Sequence, residues 1–577
     1  MKHVAHDVDV CVVGGGLSGM CAAVAAARRG ARVALMQDRP VLGGNASSEV
    51  RMWVRGAHGA NNRETGIIEE IELENLYRNC GANYSIWDSV LYEKARFQDN
   101  ITLLLNCSCC EAALNVAQIA SVKGWQTTAE TWHTVTARLF ADCSGDSVLA
   151  PLTGAPFRIG REARAEFNES IEPELADTKT MGMSCLIQAR ETDQPQPFIP
   201  PTWAHVYASD DQLPHRGHDL RKVHENFWWM ELGGEFDSIH DTEMLRDELL
   251  KVAFGVWDHV KNRGDHGAER WAIEWVSFLP GKRESRRYVG DYIVTQNDVR
   301  AEGRFDDLVA YAGWSMDDHH PGGMSYPGEP TIFHPAPSPF GLPYRALYSK
   351  TIENLLFAGR NISLTHAAMS ATRVMATCAI LGQAMGTAAA LAVRHGLSPR
   401  GVYQQRIRDL QQALMDDDCY LPWHVRDVSA LTAQARLSAS EGNPEPLRNG
   451  IDRPVGNEEN AWTTGLGGQV EFAFDRRVEI NGLRLVLDSD LNRERRMGMT
   501  ALYHRDRPPL ALPGALVKEF AVSVREGDGP WREVLRETNN RRRLVTCAFR
   551  AQASALRLTP LKSWGSERVR IFSVDVR

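Results

Sequence analysis

The stretch DVCVVGGGLSGMCAAVAAARRGARVALMQ (9–37) decides how the first part of the chain folds. An apolar run, Val10 to Val13, meets Gly14-Gly15-Gly16-Leu17-Ser18-Gly19. A helix of small residues follows, then a second apolar strand, Arg32 to Met36. Strand, glycine turn, helix and strand in this order describe a dinucleotide-binding loop. Gly14 permits the tight turn, Gly16 lets the backbone approach a pyrophosphate, and Gly19 lets helix and strand pack closely. The helix N-terminus, with Leu17 and Ser18 in its first turn, offers free N–H groups to the phosphates. An acid that holds the ribose is expected at the tip of the second strand, but Gln37 stands there. An amide accepts from one hydroxyl and donates to another, so what is lost is a charge-assisted bond. Asp38 is adjacent and, by strand alternation, faces the other way. The chain continues as Leu42-Gly43-Gly44-Asn45, then Ala46-Ser47-Ser48-Glu49.

The chain has 577 residues, enough for two or three domains. With 43% hydrophobic and 24% charged residues it reads as globular. A net charge of −8 without a long basic run argues against nucleic acid or an anionic membrane as partner. The eleven cysteines are scattered. Only Cys107, Cys109 and Cys110 cluster, in a strand-like stretch without the repeated spacing of a zinc or iron–sulfur site. The N-terminus shows no signal-peptide pattern, and ATCAILGQAMGTAAALAV (376–393) reads as a buried small-residue helix, so a cytoplasmic location is expected. There is no Walker loop, HExxH or GxSxG, and no metal is expected.

Two further stretches carry a resemblance. ARLFADCSGDSVLAPLTGAP (137–156) ends a strand in Ser144-Gly145-Asp146. NLLFAGRNISLTHAAMSATRVMATCAILGQAMGTAAALA (354–392) has a strand–AGR–loop–helix form with Gly359 and Arg360. Together with the LGG continuation these resemble the three motifs of FAD-binding flavoproteins. LGGNASSEVRM, RETGIIEE and PGKRESRRYVGDYIVTQNDV narrow the resemblance to FAD-dependent oxidoreductases related to the heterodisulfide reductase flavin subunit and, more distantly, fumarate reductase. The resemblance implies noncovalent FAD with redox chemistry at N5. Its contacts would be Gly14, Gly16, Leu17, Ser18, Gly19, Gln37, Asp38, Gly43, Gly44, Asn45, Ser48, Ser144, Gly145, Asp146, Gly359, Arg360, Ala371 and Thr372. A helix start near Ser370 to Arg373 would point at the pyrimidine end of the flavin, where reduction places negative charge.

The fold class expected is α/β: a Rossmann-like, glutathione-reductase-type FAD domain with an inserted α+β substrate domain and a C-terminal β-sandwich. Residues 1–157 and 341–420 form the FAD domain, 158–340 the insert, and 425–577 the sandwich. In the last segment GQVEFAF, EINGLRLVL, KEFAVSV, ALRLTPL and VRIFSVDV alternate as short strands between turns. This part resembles galactose-binding-like, discoidin-type jelly rolls, which bind sugars or pack against a catalytic domain.

Catalytic candidates are His366, Arg373, His319, Arg287 and Glu231. KRESRRYVGD (282–291) supplies Arg283, Glu284, Arg286 and Arg287, either on the substrate side of the flavin or on a solvated strand. SMDDHHPGG (315–323) reads as a turn-rich loop whose Asp317, His319 and His320 could handle a proton. HENFWWMELGGE (224–235) sets Phe227, Trp228 and Trp229 before Glu231, a pattern that suits a sugar face or a core. His58, near Arg55, is the residue a covalent flavin would use. The leading function is hydride transfer between a small-molecule substrate, a carbohydrate or sugar-derived acid, and flavin N5. Alternatives are a lyase or hydrolase acting through transient oxidation, or a sugar-binding protein with a vestigial flavin. Oxygen, quinone, nicotinamide and a partner protein stay open as electron acceptor, as does the oligomeric state.

Overall fold

A computed structural model describes residues 1–222, 226–494 and 502–577. The chain forms two compact units, and each is treated separately.

The first unit is built on a sheet in the order β3-β2-β1-β6-β5-β4. The strands are β1 Lys2–Val13, β2 Val33–Met36, β3 Ile101–Leu104, β4 Cys107–Asn115, β5 Gln118–Gln126 and β6 Thr131–Asp142. β1, β2, β3 and β6 run parallel, β4 and β5 form an antiparallel meander, and Leu355–Phe357 adds in parallel to the end of β6. The buried runs Val10–Val13 and Val33–Met36 are apolar on both faces, as a covered parallel sheet requires. One cover is a pair of small-residue helices, Leu17–Arg28 and Met375–His395. A Cβ at Gly382 would overlap the Ser18 carbonyl, and one at Gly386 the Ala22 carbonyl, so the two backbones touch. By length and composition Met375–His395 could cross a membrane, but 94% of its apolar window is buried in this packing.

The insert carries short paired strands and the amphipathic helix Thr242–Asn262. Phe227, Trp229, Trp257 and Trp271 fill its core. Phe227 and Trp229 are therefore core residues, and only Trp228 is partly exposed; His224 and Glu225 lie outside the described residues.

The second unit, the expected sandwich, is one seven-stranded antiparallel sheet bent around a core of Trp462, Phe472, Leu483, Leu485, Phe520 and Leu556. Its longest strands, Val470–Leu487 and Leu544–Ser563, are bent where their pairing register shifts. The units divide the chain differently from the sequence boundaries. Residues His58–Gly81 cluster with the sandwich, which begins at Gln411, while Leu502–Tyr503 returns to the first unit beside Ile187–Glu191. The reason is local burial. Leu73, on the helix Ile67–Arg78, enters the sandwich core, and the buried Arg453 guanidinium holds the Asn61 carbonyl at 2.9 Å and that of Arg63 at 3.0 Å.

Candidate active site

The C-terminal ends of β1, β2, β6 and Leu355–Phe357 lie side by side, and the motif residues follow them directly. Gly14 follows β1 with φ of +101°, and a Cβ there would come within 2.5 Å of the Cys143–Ser144 backbone. A Cβ at Gly19 would overlap the Gly14 carbonyl oxygen. Gly16 is the opposite case: its Cβ direction is open, and the nearest atom is the Gly44 Cα at 3.9 Å. The helix Leu17–Arg28 starts beside this slot with no side-chain cap and no acid in its first turn. A diphosphate matches both features, because the first-turn N–H groups want an anion and the slot excludes side chains.

Gln37 is buried, and its Oε1 accepts from the Gly15 N–H at 2.6 Å while its Nε2 donates to the Val41 carbonyl at 3.1 Å. The amide therefore clamps the loop and keeps one lone pair and one N–H for a ribose. Asp38 is exposed, as alternation implies. Asn45 donates to the Lys282 carbonyl at 2.9 Å, and the Ser48 N–H to Asp88 at 3.1 Å. Asp146 takes Lys282 at 2.9 Å, Arg360 at 2.8 Å and Ser285 at 2.8 Å. Burial would raise this carboxyl, but Arg360 and Lys282 outweigh it and hold it at about 2. Ser144 Oγ and its N–H both bond Asp142, and Gly145 packs on the Arg360 guanidinium. Gly359 has φ of +120°, and beside it Arg360 Nε and Asn361 Oδ1 are buried without a partner. Such orphaned groups fit a polar cofactor that completes them. Ala371 and Thr372 are buried in the helix His366–Thr372, which begins earlier than expected; the long helix starts at Met375.

A buried charged array lies on the strand Met316–His319. The sequence reads this segment as a turn, yet it pairs with Thr331–His334, and Asp317 and His319 are buried. His319 Nδ1 meets Glu231 at 2.7 Å and its Nε2 meets Asp317 at 3.3 Å. Arg283 reaches Glu231 at 3.4 Å, and Arg373 holds Asp317 at 3.0 Å. Burial would raise both acids; Arg283 and His319 hold Glu231 below its ordinary value, and His319 and Arg373 do the same for Asp317. His366 lies between Glu284 at 2.9 Å and Asp318 at 3.2 Å. Burial would lower its pKa, but Glu284 and Asp318 raise it well above the ordinary imidazole value. Arg287 is fully buried, bound to Glu284, to Glu162 at 2.8 Å, and to the Gly160 and Leu364 carbonyls. With its donors engaged, Arg287 is a scaffold cation, and the KRESRR segment is no solvated strand. His320 stands apart, stacked on Tyr326 at 3.5 Å. His58 is exposed and belongs to the second unit.

Sequence reasoning missed Glu162, Glu169, Glu172 and Asp318. Glu169 accepts from the Gln296 N–H at 2.6 Å and Thr365 Oγ1 at 2.7 Å. Glu172 is buried with neither carboxyl oxygen hydrogen-bonded. Burial, with Glu162, Glu169 and Asp318 nearby, outweighs His366 and pushes it up to about 7. The available signal was Glu162 through Glu174 in REARAEFNESIEPE, an acidic run without a recognisable spacing.

A parallel sheet whose strand ends share a glycine slot, a free helix start and orphaned polar groups defines a dinucleotide-binding protein. The sequence profile of the family described as FAD dependent oxidoreductase matches residues 9–414, and the chain belongs to that family. The protein binds FAD and is an FAD-dependent oxidoreductase. No curated protein matches it. Among solved structures it is similar to the family 32 carbohydrate-binding module from Streptococcus pneumoniae EndoD, at 14% identity, covering 26% of this chain and 99% of that one, TM-score 0.20. It is also similar to the family 32 module of C. perfringens NanJ in complex with galactose, at 10% identity, covering 26% and 97%, TM-score 0.19. The family 32 module of AlyQ in complex with 4,5-unsaturated mannuronic acid matches at 15% identity, covering 27% and 98%, TM-score 0.18.

Proposed function

We propose that the protein oxidises a hydroxyl-bearing carbon of a small molecule, of the carbohydrate or sugar-derived acid class, with His319 as the proton acceptor. The observation that carries this reading is the unequal grip on His319: 2.7 Å from Glu231 at Nδ1 and 3.3 Å from Asp317 at Nε2. Both neighbours are carboxylates, which only accept, so Nε2 carries a hydrogen while it faces Asp317; a substrate hydroxyl takes over this looser end, and Nε2 accepts its proton after releasing its own to solvent. Nδ1 stays on Glu231, which fixes the ring and stabilises the charge it gains. Arg373 keeps Asp317 ionised and in place while Nε2 exchanges partners. Bound FAD supplies the hydride acceptor, at N5. Gly14, Gly16, Leu17, Ser18 and Gly19 would hold its diphosphate, Gln37 its ribose, and Arg360 and Asn361 its remaining polar edge. His366, held protonated by its two carboxylates, is a poor base and serves as a fixed positive charge. A sugar-like substrate is supported by Trp228, partly exposed and edge-on to His319 at 5.2 Å, next to carboxylates that suit hydroxyl groups.

The test is anaerobic flavin bleaching with a panel of sugars and sugar acids. His319→Asn should slow reduction by about 10²–10⁴-fold with the flavin still bound. Reduction of the variant at the wild-type rate refutes the assignment.

A further inference from the structure

Away from the charged array, the insert gathers Asp210, His218, His259 and His266, whose ligand atoms all lie within 4.8 Å of one another. His259 comes from the helix Thr242–Asn262, the longest in the insert, Asp210 from the short helix Asp210–Gln212, and the other two from loops. The three ring centroids form a near-equilateral triangle, at 4.7, 4.9 and 4.9 Å.

The protons are already placed. His218 Nδ1 lies 2.5 Å from the Arg216 carbonyl and His259 Nδ1 2.8 Å from the Tyr207 carbonyl. A carbonyl only accepts, so both Nδ1 atoms carry a hydrogen, and in the neutral rings both Nε2 atoms present lone pairs. Those two Nε2 atoms face each other at 3.3 Å. Asp210 Oδ1 stands 3.0 Å from His259 Nε2, 3.6 Å from that of His218 and 3.4 Å from that of His266. His266 is 6% exposed, and its Nε2 has no hydrogen-bond partner. Among the described residues no Lys or Arg pairs with Asp210. Four electron-rich atoms thus converge with no side-chain cation between them.

We infer that Asp210, His218, His259 and His266 form a zinc site. Tetrahedral zinc, with bonds of about 2.0–2.1 Å, sets its ligand atoms about 3.3 Å apart; the three separations from Asp210 and that between His218 and His259, 3.0–3.6 Å, bracket that value, and the two from His266 to the other rings lie within 4.8 Å. Three imidazoles and one carboxylate are a zinc-type donor set, and hydrogen bonds from Nδ1–H to carbonyls are the outer-shell pattern of metal-bound histidines. The carbonyl under His218 is itself anchored, because the Arg216 guanidinium is held by the carbonyls of Pro214, Gly323, Tyr326 and Gly328. A cavity of about 280 Å³ opens beside Asp210, His218 and His266, its wall completed by Asp219 and Asp265 and by Arg216, Arg221 and Lys222.

Four protein ligands make the site structural, and its place in the insert says what it fastens. Among the described residues, the stretch between Glu191 and Glu231 contains a single three-residue helix and no strand. Long stretches without secondary structure are uncommon inside a domain. The metal would staple this one, through Asp210 and His218, to the long helix at His259 and the loop after it.

The experiment is metal analysis of the FAD-loaded protein after growth with added zinc, then titration of chelator-treated protein with zinc chloride alone. One zinc per chain is expected, restored on titration and absent from a His218→Ala/His266→Ala variant, with flavin content unchanged by the chelator. Zinc K-edge absorption of the wild type should show only nitrogen and oxygen neighbours, a readout that survives if the variant fails to fold. Wild-type protein without zinc after titration, zinc retained by the double variant, or sulfur in the metal's first shell would each overturn the site.

Discussion

Replacing Glu172 with Gln should flatten the fall in stability between about pH 5 and 8. The carboxyl is 1% exposed, both oxygens lack partners, and its pKa is raised from 4.5 to about 7. Burial is the main cause. Glu162, Glu169 and Asp318 add to it, while His366 opposes and Arg161 and Arg287 also feel the Glu172 charge. Between its unfolded value and pH 7 the folded protein keeps a proton that the unfolded chain has lost. The folded state therefore binds more protons, and stability falls as pH rises through that window. The full cost, from the shift times the energy of one pKa unit, is on the order of 3 kcal/mol, reached above the folded pKa. Gln stays neutral and removes this slope. The assay is urea unfolding of wild type and Glu172→Gln at several values from pH 5 to 8. Their difference cancels the titrating groups that do not sense Glu172 and should move by roughly 2–3 kcal/mol in favour of the variant at the alkaline end. Difference infrared spectroscopy should show a protonated carboxyl band near neutral pH that the variant lacks. Parallel stability curves with no such band would mean Glu172 ionises like a surface acid, and the burial argument fails.

Gly16→Val should leave the fold intact but place a side chain in the slot facing Gly44, so purified protein loses flavin; Gly19→Ala should instead destabilise the fold, because its Cβ meets the Gly14 carbonyl. Gln37→Glu should retain FAD, since the acceptor for the Gly15 N–H survives, whereas Gln37→Leu should leave that N–H unpaired and weaken flavin binding, measured by flavin-to-protein absorbance ratio. Arg287→Met should cost about 3–5 kcal/mol by leaving Glu162 and Glu284 buried without their cation, read as a loss in urea midpoint.

The nucleotide loop and the sandwich were legible because their signals are local: glycines at fixed spacing after an apolar strand, and period-two alternation between turns. The excursion of residues 58–81 to the sandwich was not, because a single amphipathic helix does not say which core will bury Leu73. The zinc ligands were hidden for a similar reason. They span residues 210–266 with no repeated spacing, and only folding brings the rings together.

The SMDDHHPGG stretch has the composition of a turn-rich loop, yet Met316–His319 is a strand, which sorts its acids by face. Alternation puts Asp317 and His319 on one side and Asp318 on the other. The contacts follow this division: Asp317 and His319 meet Arg373 and Glu231, while Asp318 meets His366. One strand thus serves two histidines in different electrostatic settings. His366 is tied between two acids that keep it charged, and His319 has one firm and one loose partner. The buried carboxylates are costly in themselves, and their arrangement makes sense as the means of holding one imidazole as a fixed cation while leaving the other free to exchange its partner at Nε2.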